Sequence, residues 1–222
     1  DKGRRVQLLT EDRGTETLFL AGIAQQRKLQ GLMSLGNVIL CERRVVRGKT
    51  KLFPLKVEAS VGRATRDLQT FHHLSYVLEL SRNLAYDVPL EQNTFDLILA
   101  YLRYLEDVAA DGFRLLTWQL AVFGSIGMSL SPWPCSVSGA VPNGFSLDHG
   151  GAVHLEHCAN AHRVSPKALQ SLDAAWQNKY ERARADDMPE LLGLFGNLWG
   201  AFLGRPLKST AFLPTKSEGG HL

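Results

Sequence analysis

The apolar pattern of this chain changes period once, near residue 66, and that switch limits it to a strand-rich segment followed by a helical one. Before the switch the apolar runs are short: Val6 and Leu8 within Arg5–Thr10, then Leu18–Ala24, Val38–Cys41 continuing to Val46, and Leu52–Val57. Gly14, Gly22, Gly31, Gly36 and Gly48 punctuate them. Turn-separated strands of about four to eight residues predict a small barrel or sandwich. Gly48 is expected to turn a hairpin between Glu42–Val46 and Thr50–Val57. Several short strands in a compact module fit an OB-like barrel, with an SH3-like barrel as the alternative.

After the switch the spacing is helical. Leu68, Phe71, Leu74, Leu78 and Leu84 mark one stripe, Phe95, Ile98, Leu102 and Leu105 a second, and Phe113, Leu116, Leu120 and Phe123 a third that stops at Gly124 and Gly127. Residues 131–163 hold Pro132, Pro134, Pro142, Gly139, Gly144, Gly150 and Gly151, and predict a long irregular excursion of the kind that is usually functional or disordered. Ser165-Pro166 starts a fourth helix carrying Leu169, Leu172 and Trp176, with serine as cap and proline preset for the first turn. A fifth is expected over Pro189–Leu203, closed by Gly204. The predicted fold class is α+β: an N-terminal OB-like β-barrel over 1–64, then an α-helical bundle over 65–222 with a zinc-knuckle-like irregular insertion at about 131–163.

Charge follows the same division. Residues 1–66 carry fourteen Lys/Arg against six Asp/Glu, a net of +8, so the total of +3 means that the remainder is net −5. A small basic module is the footprint of a polyanion-binding surface. Its candidate DNA-binding residues are Arg4, Arg5, Arg27, Lys28, Arg43, Arg44, Arg47, Lys49 and Lys51. Phe19 and Phe53 are the only aromatic residues here, which favours backbone contacts over base stacking and hence little sequence preference.

Other classes fall away on motif grounds. No apolar run approaches the ~20 residues of a membrane-spanning helix, no signal-peptide segment opens the sequence, and three widely spaced cysteines (Cys41, Cys135, Cys158) make a poor disulfide framework. A cytoplasmic, nucleoid-associated protein is expected. There is no GxxxxGK[ST] loop, and Gly124-Ser-Ile-Gly127 closes a helix instead of opening one. No Gly-x-Ser-x-Gly elbow occurs. Glu106-Asp107 and Asp186-Asp187 are read as solvated charge near helix ends. No catalytic set assembles, so the chain is not expected to be an enzyme.

The insertion poses a metal question. Cys135-Ser-Val-Ser138-Gly139 has the frame of a CxxCG knuckle with the second thiolate replaced, and Gly150-Gly151-Ala-Val-His154-Leu-Glu-His157-Cys158 has the frame of GGxxCxxC with imidazoles at thiolate positions. Cys135, His154, His157 and Cys158 are candidate zinc ligands, since sulfur and imidazole both serve. The first half supplies one ligand where an intact motif supplies two, so the expectation is no cofactor: a knuckle that survives on packing of Trp133, Phe145 and Val153.

Taken in order along the chain, these motifs resemble the RecO family of bacterial recombination mediators. The matching points are Leu8-Leu9-Thr10 leading to Gly14, the segment Tyr76–Leu84, Trp118-Gln-Leu-Ala-Val-Phe-Gly124 through Gly127 to Cys135, the Gly150-Gly151 turn, and Leu203-Gly-Arg-Pro-Leu-Lys-Ser209, which looks like the family's closing LGxxPLKSR motif. The resemblance implies an OB domain, a helical bundle and a knuckle-like insertion. It also implies a mediator that binds single-stranded and double-stranded DNA, anneals complementary strands, and helps a RecA-type recombinase replace the single-strand-binding protein. The implied partners are RecR, RecA and the acidic C-terminal tail of the single-strand-binding protein. Leu116-Thr117 stands where the family has an arginine pair, which leaves Arg114, Arg205 and Lys208 as candidates for the tail. Gly22-Ile-Ala-Gln-Gln-Arg27-Lys28 keeps the glycine and a basic pair of the family's basic stretch and lacks its early arginine. The chain opens at what resembles the loop after the family's first strand. An RNA-binding OB module and a non-catalytic assembly adaptor are the alternatives that charge alone leaves open.

Overall fold

A computed structural model describes residues 4–20, 27–86 and 90–214, with the backbone alone at 27–29, 49, 50 and 65. It is mixed α and β, and it divides into two compact units, Asp1–Ala109 and Ala110–Leu222. Strands give way to helices where the period changes, yet compactness divides the chain further on, because the first two long helices group with the strands.

In the first unit, β1 (Arg4–Thr10) and β2 (Gly14–Leu20) form one antiparallel hairpin. A three-residue loop, 11–13, joins them, and the chain re-enters the ladder at Gly14 with φ 71, a left-handed conformation that glycine adopts without strain. β3 (Val38–Val46) and β4 (Lys49–Ala59) form a second hairpin. Arg47 and Gly48 turn it, both at positive φ, 51 and 73. A two-residue turn with two left-handed residues matches the twist of the flanking strands, so Gly48 plays the role expected of it. The pairing slips between Leu40 and Cys41, where Pro54 lies opposite Cys41; a residue with no N–H sits at a ladder irregularity, as it must.

Among the described residues of this unit the four strands make two separate two-stranded sheets, not a closed barrel. The turn of helix α1 (Arg27–Leu32) precedes β3; its short run in a glycine-punctuated segment gave no helical period. Leu20 and Met33 are buried together, with Val6, Leu18, Leu32 and Ile39 packed on them. The Gly62–Thr65 3-10 turn then leads to α2 (Leu68–Leu84) and α3 (Gln92–Asp107). Asp67 caps α2 by accepting from the N–H groups of Gln69 and Thr70. The buried residues of α2 are Thr70, His73, Leu74, Tyr76, Val77, Leu80 and Ser81, while Leu68 and Phe71 are exposed. The expected stripe was therefore rotated, because Leu68 lies in the first turn and buried His73 bonds Tyr101 Oη at 3.0 Å instead of facing water. Glu106 is also no idle surface charge: it accepts from Gly62 N at 3.0 Å and holds the 3-10 turn to α3.

The second unit packs α4 (Gly112–Ser125), α5 (Pro166–Trp176) and α6 (Met188–Leu203). Phe113, Leu116, Leu120 and Phe123 are all buried, as their spacing predicts. Phe123 stacks on Trp199 at 3.7 Å, and Trp199 Nε1 donates to Gln119 Oε1 at 3.1 Å, which satisfies a buried indole. Ser165 caps α5 by accepting from Ala168 N, and Gly204 closes α6 at φ 67. Asp187 corrects the reading of 186–187 as solvated: it is buried and accepts from Ser171 Oγ at 2.6 Å.

Residues 131–163 are more ordered than an irregular excursion. They contain β5 (Gly144–Ser146), β6 (Gly151–Val153) and β7 (His162–Arg163) in one sheet, order β6-β5-β7. Phe145 and Val153 are fully buried in it. Gly151 is indispensable to the turn: at φ 155 an added Cβ would lie 2.0 Å from the Ser131 carbonyl oxygen. After α6 the chain folds back over Gly200 and Gly196, where Pro206 Cα and Thr210 Cγ2 would meet an added Cβ at 3.5 and 2.4 Å. The segment Leu203–Ser209 thus closes the unit, with Leu207 and Ser209 buried.

Candidate nucleic-acid interface

Adjacent arginines on β3 face opposite ways, because side chains alternate across a strand. The register places Arg44 opposite Lys51, Glu42 opposite Phe53 and Leu40 opposite Lys56. These side chains share one face, on which Arg44, Lys51 and Lys56 are exposed. Arg44 pairs with Glu42, and its guanidinium lies 5.3 Å from the centre of the Phe53 ring. The hydrogen bond from Arg44 holds the Glu42 carboxyl below its usual range. Lys56 pairs with Glu58 at 2.8 Å. Lys56 escaped the sequence reading; counting by twos along β4 from Lys51 misses it, because the slip near Pro54 shifts it onto the face of Arg44.

Arg43 does something else. It lies on the other side with Cys41 and Leu52, where Nη1 donates to Asp12 Oδ2 at 2.6 Å and Nη2 donates to Asp12 Oδ1 at 3.3 Å and Glu16 Oε1 at 2.5 Å. This fork joins the loop of the first hairpin to the middle of the second. The hydrogen bond from Arg43 holds the Asp12 carboxyl below the ordinary carboxylate range, and burial pushes the Cys41 thiol up. The Arg43 positive charge is spent within the fold.

On the first hairpin Arg5 stands opposite Phe19 and Gln7 opposite Thr17, and all four are exposed, Phe19 by 62%. Gln7 Oε1 accepts from Arg82 at 3.3 Å and Thr15 N donates to Ala85 O at 3.3 Å, which seats this hairpin on the end of α2. Arg4 is exposed opposite Leu20, and Arg47 projects from the second hairpin's turn. The side chains of Arg27, Lys28 and Lys49 lie outside the described residues.

The candidates for an acidic tail are on separate elements. Arg114, in the first turn of α4, lies over the Tyr180 ring at 4.8 Å and donates to Tyr180 Oη at 3.3 Å. Arg205 follows the cap of α6, and Lys208 lies in the 3-10 turn Lys208–Phe212; both are exposed.

The knuckle residues do not assemble a metal site. Burial pushes the Cys135 thiol up, but the Ser138 hydroxyl and the backbone N–H groups of Ser138, Val137 and His154 more than offset it and bring it down to about 7; His154 N donates to Sγ at 3.2 Å. That sulfur is held by the chain's own N–H groups. Cys158 Sγ turns to His149 Nδ1 at 3.6 Å, which also meets Ser146 Oγ at 3.2 Å, while His154 Nδ1 is 3.6 Å from Glu156 Oε2. Among the described residues no three His, Cys, Asp or Glu side chains converge as metal ligands, so Cys135, His154, His157 and Cys158 do not fit zinc.

Comparison with known proteins identifies the family. Residues 65–211 match the family model "Recombination protein O C terminal". The chain is 30% identical over 226 residues to the DNA repair protein RecO of Myxococcus xanthus (strain DK1622), covering 96% of this chain and 91% of that protein. It is 27% identical over 181 residues to the DNA repair protein RecO of Anaeromyxobacter dehalogenans (strain 2CP-C), covering 78% and 71%. The chain belongs to the RecO family. Its role is in DNA repair and recombination, and it is not an enzyme. Among the described residues no helix is long and apolar enough to cross a membrane.

Proposed function

We propose that the chain is a recombination mediator that binds single-stranded and double-stranded DNA through residues 1–64, an OB-like module, and uses 65–222 as the scaffold for protein partners. The observation that carries this reading is the outward face of the second hairpin, where Arg44, Lys51 and Lys56 stand exposed around Phe53. Neutralising phosphates with these cations releases counterions and lowers the repulsion between two strands held on one protein. Complementary strands then anneal. Arg4, Arg5 and Arg47 add exposed positive charge on the same unit; Arg43 contributes by holding the hairpins together.

The second half of the proposal concerns partners. The acidic tail of the single-strand-binding protein would meet Arg114, Arg205 or Lys208, and RecR and a RecA-type recombinase would complete the exchange. The test is an annealing assay on complementary strands precoated with single-strand-binding protein, run beside a competition between matched DNA and RNA strands. Accelerated annealing with DNA preferred is expected. Preference for RNA would replace the reading with an RNA-binding module, and absent or salt-insensitive binding would replace it with an assembly adaptor.

A further inference from the structure

The first unit has two aromatic residues on its strands, and each is placed beside an arginine on a solvent-facing side. Phe19 is 62% exposed and stands directly across from Arg5. Phe53 lies beneath the Arg44 guanidinium at 5.3 Å. A phenyl ring left in water, as Phe19 is, loses the burial that normally places it inside; Phe53 is half-buried, and neither ring belongs to the small cluster of Leu20 and Met33 with Val6, Leu18, Leu32 and Ile39. The flanking side chains are Gln7 and Thr17 on one hairpin, and Lys51 and Lys56 with the counter-ions Glu42 and Glu58 on the other.

We propose that Phe19 and Phe53 are stacking platforms for unpaired bases, each with its arginine placed to meet the base or its phosphate, so that this surface prefers single-stranded DNA to duplex. The proposal rests on the DNA-binding reading above and goes beyond it, since a phosphate-only interface would treat both forms by charge density alone. A ring can stack on a base whose face is open, and in a duplex both faces are covered by neighbouring pairs. Arg44 already shows the geometry in miniature, a planar cation over the Phe53 ring, and a base can take that place while the guanidinium, released, turns to a phosphate oxygen. Two platforms on two hairpins suit a tract of several nucleotides read by stacking instead of by base edges. Composition alone pointed to backbone contacts, because two aromatics are few; their placement matters more than their number.

The experiment compares three probes of equal length by fluorescence anisotropy: a thymidine oligonucleotide, the same strand with its bases removed, and a duplex. The full chain is used, as parent and as Phe19→Leu, Phe53→Leu and Phe53→Trp. The parent is expected to bind the native strand at least about fivefold tighter than the abasic one. Each Phe→Leu change, which keeps apolar volume, should remove about that factor on the native strand and leave the abasic affinity and the salt dependence in place, while Phe53→Trp should retain it. Equal affinity of the parent for native and abasic strands, or Leu variants that match the parent with their melting temperature intact, would overturn the proposal while leaving phosphate binding standing. If none of the three probes binds the parent, the DNA-binding reading itself fails and the stacking proposal falls with it.

Discussion

Changing Arg43 and changing Arg44 should have different consequences, although the two are neighbours in sequence. Binding to a single strand through Z phosphate contacts makes the affinity fall with salt as a power of about −0.7Z. If Arg44, Arg47, Lys51 and Lys56 each meet one phosphate, the slope of log K against log salt is roughly −2.8. Replacing Arg44 and Lys51, which stand opposite each other on the outward face, by Ala should bring it to roughly −1.4, and each lost contact should cost about fivefold in affinity at 0.1 M salt, or about 25-fold for the pair. Arg43→Ala touches none of these contacts. It removes the fork to Asp12 and Glu16, so the slope should stay near the parent value while the first unit melts earlier and hydrogen exchange speeds up around Asp12–Glu16. The assay is anisotropy of a labelled oligonucleotide from about 50 to 300 mM salt, paired with thermal melts. If Arg43→Ala and the Arg44/Lys51 double change lower the slope equally, the division of labour between the two faces is wrong.

The Asp12 carboxyl is held below its ordinary value by Arg43; a depressed folded-state value stabilises above the unfolded pKa of about 3.9 and is lost as pH falls through the folded one. Exchange protection at residues 10–16 should therefore hold at pH 5 and drop below about pH 4, with a weaker pH dependence in Arg43→Ala. Elemental analysis should find well under one zinc per chain and chelator should leave the melting temperature unmoved; stoichiometric zinc would promote His154, His157 and Cys158 to ligands. Gly196→Val would drive its side chain into Thr210, whose Cγ2 lies 2.4 Å from where a Cβ would sit, so we expect a loss of about 1–3 kcal/mol and proteolytic sensitivity at residues 204–214. An acidic peptide ending in an apolar residue should bind the chain, and Arg205→Ala with Lys208→Ala together should weaken it about tenfold, roughly 1.4 kcal/mol, with DNA affinity changed far less; an unchanged peptide affinity would place that site elsewhere.

Legibility in the sequence followed how local the cause was. Gly48, Gly204 and Ser165-Pro166 announce turns and caps because their conformations depend on a residue or two, and the α4 stripe shows because burial recurs on one face. The charge division was visible by counting. What counting could not supply is the sense of each charge. Arg43 and Arg44 are the same residue type in the same run, and only the partner hairpin, about thirty residues earlier, decides that one is held by Asp12 and Glu16 while the other, paired with Glu42 on its own strand, stays exposed on the outer face. The α2 stripe failed for a related reason: polar Thr70, His73 and Ser81 are buried, the latter two by hydrogen bonding Tyr101 and the Val77 carbonyl, and a pattern that counts only apolar residues assigns them to solvent. Lys56 fell on the interface through the slip near Pro54, a one-residue shift that reverses every later side chain. Long-range pairing is therefore what converts a basic segment into a basic face, and a net charge of +8 overstates that face by every arginine that serves, as Arg43 does, to close the fold.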